Sequence, residues 1–262
     1  MNVAIVIPAR YGSRRFPGKP LALIRGRSLL QRTWSIAGAV KDVAEVHIAT
    51  DDSRIADHAK EFGASVVMTS PDCANGTERV LAALQELKLR PDAVVNLQGD
   101  AALTPPWVVE AVVKELSSDP KTRLVTPAVR CSFAHYHEIE LSKRANPESG
   151  TLVTFDRHRN ALYFSKSLIP HLRVRGEDPP PVYQHVGIYG YRTETLEALG
   201  ALAEGPLERA EQLEQLRALE NGIPIRIAIV DYRGRTNWSV DTPEDAAMVE
   251  SIIMREGELL SA

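Results

Sequence analysis

Ile7 to Leu21 read IPARYGSRRFPGKPL, and the apolar run VAIVI (Val3 to Ile7) leads into them. That run has the β-branched content and length of a buried strand. The loop after it carries Arg10, Arg14, Arg15 and Lys19 among Gly12, Gly18, Pro17 and Pro20. A cationic loop leaving the carboxyl end of a strand suits polyphosphate. Glycines let the backbone approach oxygen atoms, and prolines restrict the loop. Open α/β sheets bind ligands at those strand ends. The loop is not a Walker A loop. Five residues separate Gly12 from Gly18, and Pro20 stands where that motif has Ser or Thr. Side-chain cations must therefore hold the phosphates, and carboxylates elsewhere must hold any metal.

Strand and helix patterns alternate outward from this loop. Ser28 to Val40 has helical spacing with Ser28 as N-cap, and EVHIAT (Glu45 to Thr50) reads as a strand. Asp52 to Phe62 predicts a helix closed by Gly63, followed by the strand SVVM (Ser65 to Met68). Thr77 to Leu87, AVVNL (Ala93 to Leu97) and Pro105 to Leu116 continue as helix, strand and helix. This alternation predicts an α/β fold with a mostly parallel, Rossmann-like sheet.

The second half is less regular. RLVTPAV (Arg123 to Val129) is a strand. Residues 131–182 read as short strands, LVTF (Leu152 to Phe155) and ALYF (Ala161 to Phe164), among loops, with DPPPV (Asp178 to Val182) as a stiff connector. HVGIYGY (His185 to Tyr191) alternates as one strand, and Leu207 to Glu220 reads as one helix closed by Asn221-Gly222. IRIAIV (Ile225 to Val230) is a strand, and Thr242 caps a last helix. We expect a single domain over residues 1–262 with an inserted subregion at about 131–185.

Bulk composition excludes several classes. A net charge of -3 gives no basic face for nucleic acid. No apolar stretch approaches a membrane span, and the amino terminus enters a strand without a signal-like segment. Cys73 and Cys131 show no metal-ligand spacing and read as reduced thiols. Cytoplasmic localisation is the expectation.

Asp100 ends NLQGD (Asn96 to Asp100), which places its carboxylate at the sheet edge beside the first loop. Asp241 lies in SVDTPED (Ser239 to Asp245), just before the last helix. Magnesium beside a triphosphate takes one or two carboxylates, so this pair is a metal seat. Asp100 also reads as a turn residue, and Thr242 to Asp245 also reads as a simple helix start. NGTER (Asn75 to Arg79) brings backbone amides to a helix start, where Thr77 alternatively serves as the cap. Gln98 can hydrogen-bond a nucleotide or an acidic substrate. His185, Gly187 and Tyr189 share one strand face, while Glu214 and Gln215 sit off the leucine stripe of the predicted helix. Both groups also read as ordinary structural positions.

IPARYGSRRFPGKPL, ATDD, MTSPDCANGTER, NLQGD, ALYFS, HVGIYGY, LEQLRALENG and VDTPED follow in this order over nearly the whole chain. As a set they resemble the 3-deoxy-manno-octulosonate cytidylyltransferase family, the CMP-KDO synthetases. The resemblance implies a nucleotidyltransferase domain that binds CTP and magnesium, a smaller region for dimerisation and substrate, and a homodimer. It implies that the reaction activates the sugar acid KDO for lipopolysaccharide or capsule synthesis. Arg10, Arg15 and Lys19 would hold the triphosphate, with Gly76, Thr77, Arg79 and Gln98 in the nucleotide site. Lys19, Asp100 and Asp241 would form the catalytic set, with both carboxylates on the metal. His185, Tyr189, Glu214 and Gln215 would face the sugar acid.

Three departures stand out. Ala101-Ala102 replace the family's Glu-Pro, TLVT (Thr151 to Thr154) replaces a basic segment, and Lys166 stands where Arg is common. Lys166 offers the acid's carboxylate a point charge, whereas Arg offers a planar fork. The departures predict a retuned acceptor, with an 8-amino analogue or another nonulosonic acid as the alternative substrate. A nucleotide-binding protein without catalysis is the alternative of a different class.

Overall fold

The computed structural model describes residues 1–13, 15–173 and 179–260; Arg14 of the first loop and Asp178 of the proline connector lie outside them. In chain order come β1 (Val3–Ala9), β2 (Leu23–Ile24), β3 (Arg27–Ser28), α1 (Leu29–Gly38), β4 (Glu45–Thr50), α2 (Ser53–Glu61) and β5 (Ser65–Met68). Next are α3 (Gly76–Leu87), β6 (Ala93–Leu97), α4 (Pro106–Ser118), β7 (Leu124–Arg130), α5 (Phe133–Ala145), β8 (Leu152–Phe155) and β9 (Ala161–Ser165). Then follow β10 (Tyr183–His185), β11 (Ile188–Arg192), α6 (Thr193–Gly200), α7 (Pro206–Glu211), α8 (Leu216–Glu220), β12 (Ile225–Val230) and α9 (Pro243–Glu256).

The main sheet runs β5-β4-β1-β6-β11-β7-β10-β8-β9, with β12 on the other edge of β7. β5, β4, β1 and β6 pair in parallel, as do β7 and β12. β11 lies antiparallel between β6 and β7, so those two also share a direction. β1 is buried along its whole length because both faces are covered. Val3, Ile5 and Ile7 pack with Leu30, Ile55 and Val112 on one side; Val6 packs with Val80, Leu84 and Leu196 on the other. A third cluster of Ile24, Leu29, Ala102, Leu103, Val240 and Ile252 seats α9 against the NLQGD turn.

Three sequence expectations are corrected. First, residues 131–182 contain α5, which the sequence reading took for strands and loops. Ser132 caps it by accepting the His135 N–H, but only Tyr136, Ile139 and Lys143 are buried, so its apolar stripe is thin. Second, His185 to Tyr191 is two strands. His185 pairs with Ala128, so Val186 faces Pro127. The Val186 N–H donates to the Pro127 carbonyl at 3.0 Å, but proline has no N–H to return. The Val186 carbonyl instead accepts from Ile188 N–H at 2.7 Å. The sheet forks there: β10 joins β8, and β11 joins β6.

Third, Leu207 to Glu220 is two short helices. Gln212 takes a left-handed conformation (φ 53°), which ends α7. Across the break Arg217 forms a two-pronged pair with Glu208, both contacts 2.7 Å. After the break Glu214 and Gln215 line one cleft with Tyr189 and Tyr191.

Candidate active site

The first loop is closed by two N–H groups, those of Ser13 and Gly18, both donating to the Tyr11 carbonyl at 2.9 Å. Gly18 has φ 74°, and a β-carbon there would meet the Tyr11 ring at 3.1 Å. Only glycine suits both conditions. Gly18 is followed by a short 3-10 turn that opens with Lys19. The Arg54 guanidinium lies 3.4 Å over the Tyr11 ring and is itself held by Asp52.

Lys19 then reaches across the strand ends. Its Nζ donates to Asp100 Oδ2 at 3.0 Å, to the Val240 carbonyl at 2.8 Å and to Asp241 Oδ1 at 3.4 Å. Arg15 contacts the same Asp241 oxygen at 3.0 Å. Residues separated by more than two hundred positions thus converge on one ammonium. Gly99 permits this, because a β-carbon there would lie 2.9 Å from the Pro8 carbonyl. Asp241 is presented by the start of α9, where Thr242 and Asp245 form a capping box and Asp245 accepts the Asp241 N–H. Asp100 and Asp241 keep part of their surface in solvent. They offer hard oxygen donors on one side of the cationic loop, and that donor set fits magnesium completed by phosphate oxygens and water.

The other residues expected in the nucleotide site are placed unequally. Arg10 ends the loop side of β1, exposed and without an ion pair among the described residues. Asn75 caps α3 by accepting the Glu78 N–H at 2.9 Å. Thr77 is therefore not the cap, and its hydroxyl meets the Tyr191 hydroxyl at 3.3 Å. Gly76 abuts Gln98, whose Nε2 donates to Asn96 Oδ1 at 3.2 Å. Arg79 is buried and turned inward. It donates to Thr69 Oγ1 at 2.8 Å and pairs with Asp51 at 3.3 Å, so it braces the loops after β4 and β5.

In β11 Tyr189 donates to Gln215 Oε1 at 2.9 Å, and the His185 ring lies 5.6 Å from that of Tyr189. Asn96 Nδ2, Gln215 Nε2 and Glu214 Oε2 are buried without a hydrogen-bond partner. Such orphaned groups are costly unless a ligand or water satisfies them. Burial raises the Glu214 carboxyl above its usual range and keeps the Tyr189 and Tyr191 hydroxyls protonated. The cleft also takes in Asn75, Thr77 and Arg217. Sequence reasoning missed Asn96 and Tyr191; an asparagine inside the apolar run AVVNL was the available signal for the first.

His185 retains some surface, but its ring is enclosed by Phe164, Tyr189 and Thr126. The Thr126 hydroxyl has one proton, and its shortest acceptor is the Ile188 carbonyl at 2.7 Å. His185 Nε2 lies 2.8 Å from the same Thr126 oxygen. Burial, aided by the nearby Lys166, pushes the histidine pKa down to about 3. The native ring stays neutral where the unfolded chain protonates below pH ~6.5. Stability contributed by this site is therefore whole above pH ~6.5 and falls as pH drops toward about 3, by at most on the order of 5 kcal/mol. Urea midpoints from pH 7 to pH 4 should fall less steeply in His185→Gln than in the wild type. Parallel curves would contradict the buried neutral ring.

Lys166 follows β9. Its ammonium is pulled down in pKa by burial, against the fields of Glu148 and Asp241. Ala101 and Ala102 are buried packing residues, and the TLVT segment is largely interior in β8.

A family model for cytidylyltransferases matches residues 4–227. A 3-deoxy-manno-octulosonate cytidylyltransferase of Maricaulis maris is 52% identical over 260 residues, covering 99% of this chain and 100% of that protein. An 8-amino-3,8-dideoxy-manno-octulosonate cytidylyltransferase of Shewanella sediminis is 42% identical, covering 96% and 98%. A solved CMP:2-keto-3-deoxy-manno-octonic acid synthetase complexed with CTP superposes with TM-score 0.86 at 36% identity, covering 98% and 100%. Matched by this family model over residues 4–227 and by these relatives over nearly its whole length, the chain belongs to the cytidylyltransferase family.

Proposed function

We propose that this chain transfers the cytidylyl group of CTP to 3-deoxy-manno-octulosonate, giving CMP-KDO and pyrophosphate. The observation that carries the reading is the convergence of Asp100 and Asp241 on the Lys19 ammonium at the strand ends. Full-length identity of 52% to a relative of that activity supports the choice of acid. The alternative of a non-catalytic nucleotide binder is disfavoured, because both carboxylates and the lysine are retained together.

The anomeric oxygen of the acid attacks the α-phosphorus, and the bond to the leaving pyrophosphate breaks in line. Asp100 and Asp241 would hold magnesium, which supplies charge neutralisation on the phosphates and acidifies the attacking hydroxyl. Lys19, with Arg10 and Arg15, takes the β and γ phosphates. Phosphate oxygens would take over contacts that Lys19 makes with the two carboxylates. Gly76, Thr77 and Gln98 line the nucleotide, and Arg79 keeps their wall in place. Lys166 meets the acid's carboxylate, while Tyr189, Glu214 and Gln215 take its hydroxyls. His185 orients this wall from beneath; its low pKa unfits it as a base.

We further read the enzyme as cytoplasmic, feeding lipopolysaccharide or capsule synthesis, and as a homodimer. No described helix is long and apolar enough to cross a membrane. Exposed Leu141 and Leu162, both in the 131–185 region, are apolar surface that a partner copy would cover.

Pyrophosphate release with CTP, magnesium and either KDO or its 8-amino analogue tests the reading. KDO should give the higher kcat/KM. No turnover with either acid by folded protein would remove the enzymatic reading, and preference for the amino analogue would replace the acceptor while keeping the chemistry.

A further inference from the structure

The backbone of Lys166 is gripped on both sides by charged side chains that the transfer itself does not use. Its N–H donates to Glu211 Oε2 at 2.8 Å. The other oxygen of Glu211 accepts from Ser165 Oγ at 2.6 Å and from the Tyr163 hydroxyl at 3.4 Å. The Lys166 carbonyl accepts from Lys143 Nζ. That same ammonium donates to the carbonyls of Ser149 at 2.5 Å and Gly150 at 3.1 Å.

These are unusual uses of charge. Lys143 is buried, and its three donors all go to backbone carbonyls, with no carboxylate in contact among the described residues. A buried ammonium with no carboxylate in contact is costly, and burial and the Lys166 charge lower its pKa against the opposing field of Glu211. Glu211 directs both oxygens at the end of β9, from the last residue of α7 before the left-handed Gln212. Charge-assisted hydrogen bonds of this kind fix geometry more firmly than neutral ones. They come from α5 and α7 and meet at residue 166, whose ammonium feels the field of Asp241.

We propose that Glu211 and Lys143 are positioning residues for Lys166, holding its backbone so that its ammonium meets the carboxylate of the sugar acid. This rests on the reading of Lys166 given above. A lysine has no planar fork to find its partner, so a single point charge depends on where its backbone is anchored.

Steady-state kinetics in both substrates tests the clamp, alongside CTP binding measured without acid. Glu211→Gln should raise the KM of the acid about 10-fold, with kcat and CTP affinity changed by no more than about twofold. Ser165→Ala, which removes one donor and leaves the charge, should raise the same KM about threefold and carries the test if Glu211→Gln does not fold. Lys166→Met should raise it at least as far as Glu211→Gln, and Glu211→Gln should add nothing in that background. An unchanged acid KM in Glu211→Gln and Ser165→Ala, with a raised KM in Lys166→Met, overturns the clamp and leaves the role of Lys166 standing. An unchanged acid KM in Lys166→Met overturns that role and the clamp with it. Equal loss of CTP affinity and acid affinity in Glu211→Gln marks a general structural effect and also overturns the proposal.

Discussion

Asp100→Asn and Asp241→Asn should each lose on the order of 10²-fold or more in turnover, because each removes a charge that acts on the reacting phosphates. The change keeps the shape of the side chain. Asp241→Asn leaves the capping box of Thr242 and Asp245 intact, so α9 should stay formed. The ion pairs being lost are partly open to solvent, and such pairs contribute about 1 kcal/mol or less to stability. The loss should therefore appear in turnover and in the magnesium concentration required, with little change in the unfolding midpoint. Near wild-type turnover and an unchanged magnesium requirement in both variants would refute the metal seat.

Lys19→Ala should weaken CTP by on the order of 10²-fold while changing CMP far less. Its ammonium makes three contacts at the strand ends and is largely enclosed. Removing it leaves Asp100 and Asp241 without the cation they share, facing the incoming β and γ phosphates. CMP has neither phosphate, so its binding depends on the wall formed by Gly76, Thr77 and Gln98. Calorimetry with each nucleotide makes the comparison. Equal losses for CTP and CMP would assign Lys19 to the loop or the α-phosphate instead.

The first half of the fold was legible because each of its signals was local. The strands at Glu45 to Thr50, Ser65 to Met68 and Ala93 to Leu97 end where the apolar runs end, and Ser28 and Thr242 cap as their residue types suggest. Legibility failed where a distant residue decided the outcome. Pro127 breaks the strand at Val186 by lacking a donor, and nothing near Val186 announces it. The split near Gln212 depends on Glu208 meeting Arg217 and on the cleft that Glu214 and Gln215 line. α5 was missed because few of its residues face a core. In the site, residue types gave Asp100 and Asp241 as a pair beside the cationic loop, but not that Lys19 would bridge them. The inward turn of Arg79 was not legible, since the acid it meets, Asp51, follows a different strand. Glu211 left no sequence signal at all; its target is the backbone of residue 166.

The most direct test follows the oxygen that forms the new bond. The acid is supplied with heavy oxygen at its anomeric hydroxyl, together with CTP and magnesium, and the products are read by phosphorus NMR. The account predicts CMP-KDO whose phosphorus carries the heavy oxygen in the sugar bridge, and pyrophosphate that carries none. Heavy oxygen in the pyrophosphate, or CTP cleaved with no label joined to the CMP phosphorus, would contradict direct attack by the acid on the α-phosphate.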